Sequence, residues 1–193
     1  NEISCFGAND GSAQLLTSGG TQPYTYNYGT YTIGNSLSSG PYFISVTDNN
    51  SCVAYTAFTI LEPAPLSVTV LENDISCNGE SDGSLLALIN GGNYPFYFSW
   101  DNGVYTANNN NLDTGTYIVD IIDANGCSIS SYGTIIEPNP ITLSANIINL
   151  NCPGDNNGLI DVNVIGDYPP FIYNWSNGMN TEDIFNLSAG TFS

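Results

Sequence analysis

A Cys-x-Gly step followed by a short acidic turn is written three times along this chain: CFGANDGS at 5–12, CNGESDGS at 77–84 and, more loosely, CPGDNNGL at 152–159. The copies keep register well beyond the motif. Cys5 to Tyr28, Cys77 to Trp100 and Cys152 to Trp175 are each 23 residues apart. After the aromatic, Leu37 follows by 9 residues and Leu112 and Leu187 each by 12, so one loop of the first copy is three residues shorter. Leu37 to Cys52 and Leu112 to Cys127 are both 15, and Cys52 to Pro63 and Cys127 to Pro138 are both 11. Self-similarity at a fixed period outranks a domain count made from length, and it divides the 193 residues into units of about 75. The first unit runs over 1–62 and lacks its N-terminal strand, the second is complete over 63–137, and the third, 138–193, stops before its second Cys. The chain starts at Asn1 with no initiator Met, so it reads as a piece of something longer.

Within a unit the pattern is turn, strand, turn, strand at the spacing of an all-β sandwich. SLLALINGG, PFYFSWDNG, GTYIVDIIDANG and CSISSYGTIIEP are strand candidates, closed by Asn-Gly, Asp-Gly or Pro punctuation. No stretch holds a helical period. The segments EPAP (62–65) and EPNP (137–140) lack the N–H donors to continue a central strand, so they mark short, stiff junctions between units.

Composition removes whole classes of function. Lysine, arginine and histidine are absent, against 18 Asp and Glu, for a formal charge of −18. Phosphate backbones and anionic lipid surfaces repel such a chain, which excludes nucleic-acid and membrane-surface partners. There is no His for general base work, no Lys for a Schiff base and no Arg for a phosphate clamp. With 41% apolar residues and 12% aromatics the chain still has the material for packed cores. No apolar run approaches the roughly 20 residues that span a bilayer, and no signal peptide is visible.

The five cysteines fall on two positions of the repeat. Cys5 with Cys52 and Cys77 with Cys127 occupy matching places, which predicts one disulfide inside each unit and leaves Cys152 with a partner just past Ser193. Other connectivities stay open. Disulfides at this density point to an oxidising, extracellular setting.

The residues Cys77, Gly79, Asp82 and Gly83, then Gly91-Gly92, Pro95-Phe96 and Trp100-Asp101-Asn102-Gly103, resemble the SprB-type repeat of very large surface proteins of gliding Bacteroidota. The likeness continues through Leu112-x-x-Gly115-x-Tyr117, Asp123-Ala124-Asn125-Gly126-Cys127 and Glu137-Pro138, and it covers the whole chain. It implies immunoglobulin-like β-sandwiches in tandem on a cell-surface adhesin exported by the type IX secretion system. The implied partners are neighbouring repeats, outer-membrane anchoring or secretion machinery, and a surface polysaccharide. Three positions depart from the pattern: Tyr28 for Trp, Ser51 for the Gly before Cys52, and Asp167 for the second Gly of the pair.

Candidate sites compete with plainer readings. Tyr24, Tyr26 and Tyr28 share one face at period 2, as do Phe96, Phe98 and Trp100, and Phe171, Tyr173 and Trp175. Their alternates include Asn27, Ser99 and Asn174, so the aromatic face reads as core, and Tyr97, pointing the other way, is the candidate ligand contact. Glu80, Asp82, Asp123, Asn125 and Asp155 gather hard oxygen ligands suited to Ca²⁺ in acidic turns. The same turns are ordinary hairpin chemistry, in which Gly supplies positive φ, and none carries a complete calcium-loop motif. A carboxylate-pair glycosidase needs a cleft that the pattern does not offer, and Cys152 has no His to activate it, so no catalytic residue is assigned. The run ANNNNLD (107–113) reads as the solvated tip of the inserted loop. The expectation is a non-enzymatic, disulfide-stapled stalk without a cofactor other than calcium. A carbohydrate-binding array or the spacer of a secreted hydrolase is the alternative.

Overall fold

The computed structural model describes residues 1–29 and 36–193; residues 30–35, within the shortened loop of the first unit, lie outside the described residues. The described chain is all-β, with twelve strands: β1 Thr25–Asn27, β2 Gly40–Thr47, β3 Val53–Ile60, β4 Ser67–Asn73, β5 Gly83–Asn90, β6 Tyr97–Trp100, β7 Asn108–Leu112, β8 Gly115–Ile122, β9 Ser128–Ile135, β10 Thr142–Ile148, β11 Gly158–Ile165 and β12 Ile184–Leu187. They form four three-stranded antiparallel sheets, β1-β2-β3, β4-β5-β7, β6-β8-β9 and β10-β11-β12.

The two middle sheets face each other as a sandwich, and period-2 patterning explains why. Along β8, Val119 and Ile121 are buried while Ile118, Asp120 and Ile122 are exposed, and along β5 Leu85 and Ala87 point inward. One core results, from Ile75, Leu85, Ala87, Trp100, Leu112, Val119, Ile121 and Ile135, with Val68, Val70, Phe96 and Phe98 packed against it. Trp100 is 2% exposed, and its indole N–H donates to the Thr106 carbonyl at 2.9 Å, so its one polar atom enters the core satisfied. The sandwich is sealed at one side where β4 meets β9. There the amides of Thr134 and Ile136 donate to the carboxylates of Glu72 and Asp74 at 2.7 and 2.9 Å.

Two expectations need correction. The ANNNNLD run is no solvated tip: Asn108–Leu112 is strand β7, paired with β5. Asn109 is completely buried there because its amide and that of Asn102 bond each other reciprocally, at 3.1 and 3.2 Å, which offsets the desolvation of both. The second glycine of the repeated motif does not serve positive φ. A Cβ on Gly83 would lie 2.6 Å from Ile135 and 2.9 Å from the Leu112 carbonyl, and one on Gly11 2.8 Å from Ile60 and from the Leu37 carbonyl. These glycines are there because the strand start has no room for a side chain. The positive φ belongs to the first glycine, at Gly7, Gly79 and Gly154.

Among the described residues the flanking segments carry one sheet each. β1-β2-β3 is the counterpart of β6-β8-β9, with a small core of Ile3, Leu37, Tyr42 and Ile60. β10-β11-β12 is the counterpart of β4-β5-β7, and its β10 is exposed throughout.

Candidate functional site

The strand directions give the middle sandwich two distinct ends. At the head, where the chain comes in through Pro63–Leu66, lie Gly91–Asn93 and the Asp123–Cys127 turn that joins β8 to β9. At the tail lie the Cys77–Gly83 turn joining β4 to β5 and the outgoing Glu137-Pro138. Eight residues of β8 separate the two ends, about 26 Å at the usual rise.

The head is built around Asp123, which is 2% exposed. Its carboxylate accepts the backbone N–H groups of Asn93, Asn125 and Cys127, each at 2.9 Å. Burial pushes the group up, but the backbone donors of Asn93, Cys127, Asn125 and Gly126 outweigh that and hold it below the usual carboxylate range. The linker presses on the same spot. A Cβ on Gly91 would sit 2.0 Å from the Pro65 carbonyl, and Gly92 N–H donates to the Ala64 carbonyl at 3.2 Å. In the third segment Asp167 takes this place and ties the linker through the Asn139 amides instead, at 2.6 and 3.1 Å.

At the tail, Gly79 N–H donates to the Glu137 carboxylate at 3.1 Å, and Ser76 N–H to Asp82 at 2.9 Å. The first segment repeats this with Gly7 on Glu62 at 3.0 Å and Ser4 on Asp10 at 3.0 Å. The glutamates that precede the junction prolines thus clamp the Cys-x-Gly turn. Sequence reading missed them, although their fixed distance from the second Cys was a signal.

The predicted pairings Cys5–Cys52 and Cys77–Cys127 do not form. The disulfide joins Cys5 to Cys127, with Cα atoms 5.7 Å apart, and Cys52, Cys77 and Cys152 are exposed free thiols among the described residues. The reason is geometric. Each predicted pair places one Cys at the tail and the other at the head of the same sheets, several times the roughly 4.4–6.8 Å that a disulfide spans. The tail of the first segment abuts the head of the second, which brings Cys5 to Cys127. Asn125 Nδ2 also donates to the Ser4 carbonyl across this junction at 2.9 Å. In the chain-entropy model, closing a loop of 122 residues stabilises by about 5 kcal/mol.

The other candidate residues are not brought together. Glu80 and Asp82 lie at the tail, Asp123 and Asn125 at the head, and Asp155 in the third copy of the turn, where its carboxylate accepts the Cys152 N–H at 3.0 Å. No group of three or more His, Cys, Asp or Glu side chains converges among the described residues. Tyr97 is 63% exposed on the outer face of β6, beside Ile122 of β8. Its neighbours Phe96 and Phe98 pack on the core, as the aromatic pattern predicts.

One sandwich, entered at one end and left at the other, between flanking sheets that repeat its design, defines a tandem-repeat structural protein. The sequence profile described as SprB repeat matches residues 1–28, 72–104 and 144–180, a little over half of the chain, and the chain belongs to the SprB repeat family. SprB repeats are parts of cell-surface proteins and form a structural rather than a catalytic family. No curated protein matches the chain. No helix among the described residues is long and apolar enough to cross a membrane.

Proposed function

We propose that this chain is a non-enzymatic stalk segment of a large secreted adhesin, working in surface attachment or gliding motility after export by the type IX system. The units are proposed to divide at 1–62, 63–137 and 138–193, and the array to be held by outer-membrane anchoring machinery. The observation that carries the reading is the placement of incoming and outgoing chain at opposite ends of the middle sandwich, with a covalent staple across the junction. A string of such units transmits tension along its length. The experiment is to pull the oxidised chain by its termini. The staple leaves only the residues before Cys5 and after Cys127 to extend, about 230–250 Å, and reduction releases a further 400–440 Å or so from the 122-residue loop. Equal extension in both redox states contradicts a stapled stalk.

One observation favours a carbohydrate-binding array as second reading. The outer face of β6-β8-β9 exposes Tyr97, Ile118, Ile122 and Tyr132 around Asp120 and Ser130. Tyrosine faces of this kind stack on sugar rings. Binding on a glycan array that is lost in Tyr97→Ala, with and without calcium, supports that reading; silence in both conditions supports the stalk.

A further inference from the structure

The joined ends of the first and second units recur, unjoined, elsewhere in the chain. Around Cys52 the head is rebuilt bond for bond. The Asp48 carboxylate accepts the N–H groups of Thr21, Asn50 and Cys52 at 3.0, 2.9 and 2.8 Å, as Asp123 accepts those of Asn93, Asn125 and Cys127. Asp48 N–H donates to the Cys52 carbonyl at 3.0 Å and Asp123 N–H to that of Cys127 at 2.9 Å. Ser51 even keeps the left-handed φ, 65°, of its counterpart Gly126. The tail recurs too. Ala8, Glu80 and Asp155 each donate N–H to the carbonyl of the preceding Cys, at 3.0, 3.1 and 3.2 Å, and Gly7, Gly79 and Gly154 all have positive φ. One contact differs. Asn125 Nδ2 donates across the junction to the Ser4 carbonyl, whereas Asn50 Nδ2 donates to Thr21 Oγ1 of its own unit at 3.0 Å.

We infer that the head is a docking surface for the Cys-x-Gly tail of another repeat unit, with the staple always running from the first Cys of one unit to the second Cys of the next. Cys52 is then an open head and Cys152 an open tail. Docking turns the Asn50 amide from Thr21 to the incoming carbonyl, and the two thiols join. In that step each thiol loses a proton and the pair loses two electrons to a disulfide oxidant. A thiolate attacks the oxidant, releasing one thiol, and the second thiolate attacks the mixed disulfide, releasing the other. The head and tail are different surfaces, so the contact is heterologous, and each copy added leaves one open head and one open tail for the next. The array becomes a chain in which every junction is locked from outside either unit.

The 193-residue chain tests this as it stands. Incubated at rising concentration in a reduced and oxidised glutathione buffer at about 0.15 M salt, where charge repulsion is largely screened, it is expected to give a ladder on non-reducing gels. The new linkage is expected to map to Cys52–Cys152, with Cys5–Cys127 kept. Cys52→Ser and Cys152→Ser each abolish the ladder, and Cys77→Ser, an exposed thiol at a tail already followed by the third unit through Glu137 and Pro138, leaves it unchanged. A chain that stays monomeric, or intermolecular bonds scattered over all the thiols, overturns the inference.

Discussion

The middle unit and its flanks share one sequence pattern but not one degree of closure. Trp100 and Trp175 sit in the same turn, each donating its indole N–H to a threonine carbonyl six residues on, at 2.9 and 2.8 Å. Yet Trp100 is buried and Trp175 only half-buried. β4 and β10 begin alike, but Val68 and Val70 pack on a core while Leu143 on β10 is 71% exposed. The difference is the facing sheet, which the middle unit has and β10-β11-β12 lacks among the described residues. Local pattern therefore suffices to make a strand and a turn, and a second sheet is needed to turn an apolar face into a core.

The largest test of that contrast is the pair of tryptophans. Trp100→Ala is expected to cost about 3–5 kcal/mol and Trp175→Ala about 1 kcal/mol or less, read by calorimetry. Similar losses would mean that the flank is closed as the centre is. Next come the two head aspartates. Asp123→Ala strands three backbone donors in a buried site, for about 3 kcal/mol, whereas Asp48→Ala, at a half-buried site, loses less because water replaces the carboxylate.

Gly91 and Gly19 sharpen the comparison further. Both have positive φ, 74° and 80°, but a Cβ on Gly19 would meet nothing within 4 Å, while one on Gly91 would strike the linker. Gly19→Ala is expected to cost about 1 kcal/mol of backbone strain, and Gly91→Ala about 2 kcal/mol more, with the junction displaced. Hydrogen exchange at the Gly92 amide reads the displacement.

The smallest effect is on pH. The Asp123 carboxyl titrates below its unfolded value, so its contribution is complete above about pH 4 and falls away as acid carries the solution through the lower, folded value. The thermal midpoint should drop in that window. Asp123→Asn, which keeps an acceptor oxygen but not the proton linkage, should flatten the drop relative to the unaltered chain.

Much of this was legible in the residues. β6, β8 and β9 fall inside three of the four segments chosen by alternation and turn punctuation, and β5 starts one residue ahead of the fourth, because a half-buried strand writes its two faces into the sequence. Asn109 was hidden, since a buried asparagine looks like a solvated one until Asn102 is seen to pair with it. At the equivalent place in the third unit Ile184 is buried, an apolar answer that the alignment held in view. The staple was hidden for another reason. Spacing shows that two cysteines are equivalent between copies, not that they share an end of the sheet. Between Cys77 and Cys127 the chain crosses the unit three times, along β5, then β6 with β7, then β8, and an odd number of crossings leaves the two at opposite ends. Counting crossings, rather than matching positions, is what the sequence required.

Disulfide mapping of the oxidised chain is the most direct measurement. Trypsin has no site, but a protease cutting after Asp and Glu separates all five cysteines. For the monomer, isolated from dilute solution, the account predicts one linked species, the peptide holding Cys5 bound to that holding Cys127, with Cys52, Cys77 and Cys152 free to alkylation. Linked peptides pairing Cys5 with Cys52, or Cys77 with Cys127, would contradict it.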